Sequence, residues 1–528
     1  MVDATHNTKA KLNTLHTRHP YASAVRTVSR CASLCIVLLL WAATVHASPP
    51  FELAGSVLST GGFSARTTGA SAGSAYFNPA LLANARPGVE VGVFVLQESV
   101  QINLANRDAR FDIPEAALGQ FQSQMPSLPT SWIQNGCDPQ TDGCVSPLEA
   151  HPRRSATSGA TRMYFVLGLV ATVFDRYLTL GVYGMAPADT LLRGTTHYSD
   201  EREQYFSNNL HAELYGDRLD APAMAFAASS RLFDWLAIGM GATLGLTNRV
   251  TAGTFVGNSA RIAQTLVLST ALESSMVLAP HFGVQIEPTP WLGFSVTAHA
   301  PQKQDMINVL DSYLPNGDFQ RANRDVVLAW MPWTIAVGSQ VEVLKLATQR
   351  FSAVAGMSFA LWSDYTDRVG ERPRDGYLWA NTLSTNAGLR HVYKEMVSSF
   401  FDLQYAPSPV PAQTGRTNYV DNDRLGFSAG SNVELPLSGT RARLRFGLQA
   451  QLHFLLDRYQ AKLDPTSQRF AGKFYPGLVV DEWKDDTVNN RGEVFAAAAG
   501  LQTNNAGWPG FGSRGVIWGA GVNVALLY

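Results

Sequence analysis

The chain has 528 residues and a net charge of −1, and only 16% of its residues are charged, against roughly 25% in typical soluble domains. There is no basic face or cluster to neutralise phosphates, which argues against nucleic acid as a partner. With 44 glycines and 10% aromatic residues, the composition leans towards β structure with many turns.

The first 47 residues read as an export signal. Lys9, Lys11, Arg18, Arg26 and Arg30 form a long basic region ahead of the apolar run CASLCIVLLLWAATV. That run, about 15 residues, falls short of the roughly 20 that a spanning helix needs. Val45 and Ala47 then place small residues at the two positions that matter for cleavage. Residues 48–87 follow as a separate segment. Within it, Asn78 suits a helix N-cap and Pro79 the first helical position, where a missing N–H costs nothing. Ala80, Leu81, Leu82 and Ala83 supply barely more than one turn before Arg86-Pro87-Gly88 stops it. A helix this short needs something around it to hold it.

From Gly88 the pattern changes to strict alternation. The sequence predicts strands over 88–103, 160–173, 176–186, 221–232, 235–250, 276–287, 291–300, 325–342, 350–362, 383–393, 395–406, 424–435, 441–455 and 514–528. Many exceed the usual five or six residues and match the 9–11 tilted residues of a bilayer-crossing strand. Short turns such as FDR, FDW and EPTPW alternate with long polar loops near 104–158, 187–220, 251–275, 301–324, 363–382, 407–423 and 456–513. One face of the strands is apolar, while the other holds Glu90, Glu98, Asp402, Arg443 and Arg445 among many glycines. Tyr177, Trp235, Trp291, Trp518 and Tyr528 stand near the predicted strand ends, as an interfacial girdle requires. A soluble sandwich also alternates, but such a charged opposite face suits a lumen better than a core. The fold class expected is all-β: a 14-stranded antiparallel transmembrane β-barrel formed by 88–528, with the N-terminal hatch (plug) of 48–87 inside the lumen.

Cys137 and Cys144 lie in the first long loop, NGCDPQTDGCVSP. In an exported chain this even pair reads as a disulfide closing a small loop. Asp138 and Asp142 beside it do not have EF-hand spacing. The matches to G-x-S-x-G at Ser71 and Ser428 lack the strand-to-helix context of a nucleophile elbow. No metal-spaced His/Cys cluster, phosphate loop or paired carboxylate motif accompanies them. The chain is therefore expected not to be an enzyme and to need no cofactor and no metal.

Three segments carry a family resemblance. GGFSARTTGASAGSAYFNPALLANARPGVEVGVFV resembles the hatch and first strand of the FadL-type outer-membrane transporters of long-chain fatty acids and hydrocarbons, with Asn78, Pro79 and Ala80 on the family's Asn-Pro-Ala. IEPTPWLGFSVTAHAPQ is similar to the strand–turn–strand before the family's fourth loop. DLQYAPSPVPAQTGRTNYVDNDRLGFSAG is similar to a segment in which a strand ends at Ser-Pro-Val and the next opens with Asp-x-Asp-Arg. The resemblance implies passive uptake of hydrophobic molecules across the outer membrane of a Gram-negative bacterium, by a monomer embedded in outer-membrane lipid. Capture would fall to the third and fourth loops, and release would pass the hatch. Those loops offer Ile262, Leu266, Val267 and Leu272, and then Met306, Ile307, Val309, Leu310 and Tyr313. Such residues would catch a fatty chain, each buried methylene contributing about 0.8 kcal/mol, or would pack the two loops together. Arg443, Arg445 and His453 are candidates to meet a carboxylate in the lumen, or to pair with Glu90 or Asp402. A general porin and an outer-membrane lipase are the alternatives.

Overall fold

The computed structural model describes residues 49–104, 107–108, 150–151, 156–175, 177–188, 214–220, 222–245, 249–256, 266–274, 277–313, 319–366, 372, 378–412, 419–461, 469–470, 473–474 and 510–528. The signal peptide reading, the Cys137–Cys144 pair and Ile262 fall outside these residues.

Fourteen strands close into one antiparallel barrel, each paired with its neighbours in sequence. They are Gly88–Leu104, Ala156–Phe174, Leu178–Pro187, Ala223–Phe233, Leu236–Gly245, Val277–Thr289 and Leu292–His299, followed by Thr334–Lys345, Gln349–Ala360, Thr382–Tyr393, Val397–Ala406, Arg424–Pro436, Arg443–Ala461 and Gly510–Leu527. Closure runs from Gly88↔Leu527 to Leu104↔Phe511, so the first strand finds the last along its full length and no edge is left open.

The alternation in sequence is the alternation of inside and outside. On the first strand Val89 and Val91 are exposed, whereas Glu90, Phe94, Leu96 and Glu98 are buried in the interior. The second strand repeats this with Met163, Phe165, Leu167 and Leu169 outside and Arg162, Tyr164 and Val166 inside. Exposed apolar side chains of this kind cover the outer wall, the arrangement that hydrocarbon requires. Tyr177, Trp235 and Trp291 flank the short turns at one end, with Tyr528. Trp518 lies midway along the last strand, because that strand begins at Gly510, earlier than the alternation suggested. Its position ten residues before Tyr528 still equals one tilted bilayer crossing.

Two regions differ from the expectation. The run 325–342 is two strands, Phe319–Met331 and Thr334–Lys345, parted at Pro332, which has no N–H to continue a ladder. The run 235–250 likewise ends at Gly245, and Arg249–Val256 starts a different sheet. That sheet is built from the third and fourth long loops. Arg249–Val256 pairs with Leu266–Ser274, Gln302–Tyr313 pairs with Phe319–Met331, and the two hairpins join between Met306↔Ser274 and Tyr313↔Val267. Segments read as long polar loops thus contribute to a four-stranded sheet at the end opposite the short turns.

Candidate functional site: the plugged lumen

Residues 49–87 pack against the inward-facing side chains of the barrel, and most are fully buried. A helix at Pro49–Ala54 is followed by a bridge from Ser56 to Gly62, a one-turn helix at Ser74–Phe77 and a 3₁₀ helix at Pro79–Asn84. The 3₁₀ helix starts where the sequence places it. Asn78 is extended, its Oδ1 accepts from the Ala80 N–H at 3.1 Å, and Pro79 occupies the first turn. The Asn78 amide also donates to the Arg66 carbonyl at 2.9 Å, which ties two arms of the segment together.

Wall glycines receive this turn. A methyl at Gly283 would collide with Asn78 Oδ1, and one at Gly239 would strike the Pro79–Ala80 peptide. Glycine abundance therefore has a local cause here, since only glycine lets the plug backbone come so close. Around the same turn Ser229 Oγ donates to the Ala80 carbonyl, and His281 Nε2 lies 2.6 Å from the Ala75 carbonyl.

A second attachment faces the opposite arm of the plug. The fully buried Asp402 carboxylate accepts from the backbone N–H groups of Phe63 (3.0 Å) and Ser64 (3.3 Å) and from Ser64 Oγ (3.0 Å). Arg390 completes it, donating to Asp402 Oδ1 at 2.7 Å and to the Gly61 carbonyl at 2.9 Å. Further charges near the lumen are paired too. Arg445 meets Glu90 at 2.7 Å, and Arg443 lies 3.6 Å from Glu434 beside a short turn. His453 packs on the Phe63 ring of the plug, with centroids 5.1 Å apart. Arg162 joins Glu98 to Asp220, which draws the 3₁₀ helix Gly216–Asp220 of the second long connection into the lumen. Neither this helix nor its charge triad announces itself in the sequence, because its partners are more than 50 residues apart.

Within the plug, Glu52 accepts from Arg66 (2.6 Å to Oε1, 3.2 Å to Oε2) and from the Tyr76 hydroxyl. Burial opposes ionisation of Glu52, but the Arg66 charge and these hydrogen bonds outweigh it and hold the carboxyl below its ordinary range. A depressed carboxylate stabilises at pH above its unfolded value of about 4.3 and loses that contribution as pH falls through the lower folded value. Acidification below about pH 4 should therefore loosen the plug, and Glu52→Gln should flatten this pH dependence. Plug protection from protease, followed from pH 7 downwards, measures it; an unchanged acid profile in Glu52→Gln would assign the loosening to other groups.

The predicted loop residues reach the outer sheet, apart from Ile262. Leu266, Val267 and Leu272 lie on Leu266–Ser274, and Met306, Ile307, Val309, Leu310 and Tyr313 lie on Gln302–Tyr313. Ile307 is exposed and Leu310 half-buried. Being three residues apart on one strand, they fall on opposite faces. The two G-x-S-x-G serines are not at elbows: Ser71 is buried in the plug, and Ser428 sits inside the strand Arg424–Pro436 opposite Asp402 and Gln451. Among the described residues no group of three or more His, Cys, Asp or Glu side chains is placed to hold a metal.

No protein-family model matches the chain, and no curated protein matches it in sequence. Solved structures do. A FadL homologue from Pseudomonas aeruginosa superposes with a TM-score of 0.53 at 12% identity, covering 91% of this chain and 99% of that one. The toluene transporter TodX of Pseudomonas putida gives 0.45 at 11% identity, covering 91% and 98%. The toluene transporter TbuX of Ralstonia pickettii gives 0.37 at 11%, also covering 91% and 98%. The first establishes a shared fold, so the resemblance first carried by Asn78-Pro79-Ala80 extends to the architecture of the whole barrel.

Proposed function

We propose that this chain is a passive transporter of hydrophobic small molecules, such as long-chain fatty acids or hydrocarbons, in the outer membrane of a Gram-negative bacterium. Residues 1–47 serve as its export signal, 48–87 as a hatch and 88–528 as the barrel, and it works as a monomer without cofactor. The observation that carries this reading is a closed barrel whose lumen is occupied by its own N-terminal segment, held by polar contacts to opposite walls. A general porin keeps its lumen open to water, which this packing opposes. An enzyme needs a convergent set of reacting groups, whereas the lumen carboxylates Glu90, Glu98 and Asp402 are each held by an arginine.

Cargo first meets the four-stranded sheet at the end bearing the long connections, then enters the barrel above the plug and leaves when the plug shifts. Arg443, Arg445 and His453 are less suited to greet a carboxylate than their sequence suggested, since the two arginines face Glu434 and Glu90. The apolar side chains of the outer sheet are the better first contact. Ile307→Asp should weaken cargo binding by roughly tenfold, the equivalent of about two buried methylenes, without changing the heat stability of the barrel. Equilibrium binding of radiolabelled oleate to nanodisc-held protein measures it.

The transport reading is tested by uptake of oleate and hexadecane into proteoliposomes alongside planar-bilayer conductance. Accelerated uptake with little ion conductance is the expected result. Large, steady conductance from the intact protein would make it a porin. Ester hydrolysis lost on replacing Ser71 or Ser428 would make it a lipase.

A further inference from the structure

Where the barrel gives way to the outer sheet, a pocket of about 10 Å³ lies between the plug and the first residues of that sheet. One water-sized group fills such a volume. Thr243, His299 and Gln302 are among the polar residues of its wall, and all three are more than nine-tenths buried. Thr243 Oγ1, His299 Nε2 and both the Nε2 and Oε1 of Gln302 have no hydrogen-bond partner in the protein. Four such atoms converging on one small space are costly unless a polar group meets them. Ala279, Pro280 and Met331 supply apolar lining, and Glu52, Tyr76 and Thr334, whose polar groups bond elsewhere, complete the wall.

The chemistry of the unpaired atoms selects the ligand. The Gln302 amide offers a donor and an acceptor side by side, and the Thr243 hydroxyl and, in its uncharged form, the His299 imidazole can each serve as either. The charged member of the wall, Glu52, is already committed to Arg66 and Tyr76. A carboxylate would find no unpaired cation here and would face the Glu52 charge. An alkane would leave all four atoms unmet.

We propose, resting on the transporter reading above, that this pocket selects cargo with an apolar body ending in a neutral hydroxyl or amide, a group that donates and accepts at once. The head group docks against Gln302, His299 and Thr243. Only the head group enters this space, and the body lies outside it on the side of Met331, which belongs to the outer-sheet strand Phe319–Met331.

The test presents radiolabelled octane, 1-octanol and octanoate at pH 7.5 to the intact mature barrel in nanodiscs, with empty nanodiscs subtracted. Sites built to hydrogen-bond a hydroxyl reject analogues lacking it, so 1-octanol should bind about tenfold tighter than either other compound. Gln302→Leu and the isosteric Thr243→Val should each cut that preference to about twofold or less, with octane bound as well as before or better. Two variants guard against a folding defect in one, and heat-modifiable migration reports folding. Equal binding of all three compounds leaves transport intact and overturns the head-group site. A preference that survives both folded variants also overturns it and assigns the four atoms to a bridging water. Failure of all three compounds to bind removes the transporter reading itself.

Discussion

A barrel carrying Ala75→Cys with Gly181→Cys will lose uptake when oxidised and regain it when reduced. Ala75 lies in the one-turn helix Ser74–Phe77 of the plug, and Gly181 lies on the wall strand Leu178–Pro187. A Cβ at Gly181 falls 3.3 Å from the Ala75 Cβ, close to the 3.5–4.5 Å of disulfides. The nearest obstruction is the Leu82 side-chain tip at 2.7 Å, which has rotamers to give way. The bond would staple the part of the plug that leads directly into the first strand. If cargo passes only when this part moves, uptake falls to background, a loss of at least about tenfold against a gate that still opens. Cargo binding at the outer sheet should survive, because nothing in the sheet is touched. Wild-type protein with reductant is the control for the Cys137 and Cys144 pair. Uptake that continues with the cross-link complete would place the moving part elsewhere.

The barrel wall was legible because its physics is local. Each strand must present apolar side chains to lipid at every second position, so Val89, Val91, Phe165 and Leu167 declare their strands one at a time. The start of the 3₁₀ helix was legible for a similar reason, since Asn78 and Pro79 satisfy or remove the very N–H groups that a helix start leaves unpaired. The outer sheet was not legible. Its strands carry Asp311, Arg321 and Asp325 among their apolar residues, and they lack the clean alternation that a lipid-facing wall imposes. Their pairing is fixed instead by contact between two hairpins some 30 residues apart in sequence. The lumen pairs are hidden for the same reason. Asp402 gains its meaning from Ser64, 338 residues away, and Arg162 from Gly216, 54 residues away. Gln302, Thr243 and His299 are unremarkable residue types until topology converges them.

Asp402→Leu should open the barrel to ions and destabilise it together, and a second substitution should separate the two effects. The Asp402 carboxylate neutralises Arg390 and also receives the plug through Phe63 and Ser64. Removing it leaves a guanidinium buried beside the apolar Phe400 ring without its anion, which costs about 3–5 kcal/mol. Adding Arg390→Met removes the uncompensated charge, and an apolar replacement of a buried ion pair is often neutral. Much of the lost stability should therefore return in the double variant, read as recovery of the thermal midpoint. Plug attachment should not return, because two backbone N–H groups and the Ser64 hydroxyl still lack their acceptor and the Gly61 carbonyl has lost its donor. The double variant is thus expected to be stable yet leaky, with ion conductance well above wild type. A double variant that is both stable and closed would mean that the Asn78 turn and its glycine seats at Gly239 and Gly283 hold the plug unaided. A double variant that stays unstable would mean that the plug supports the wall as much as the wall supports the plug.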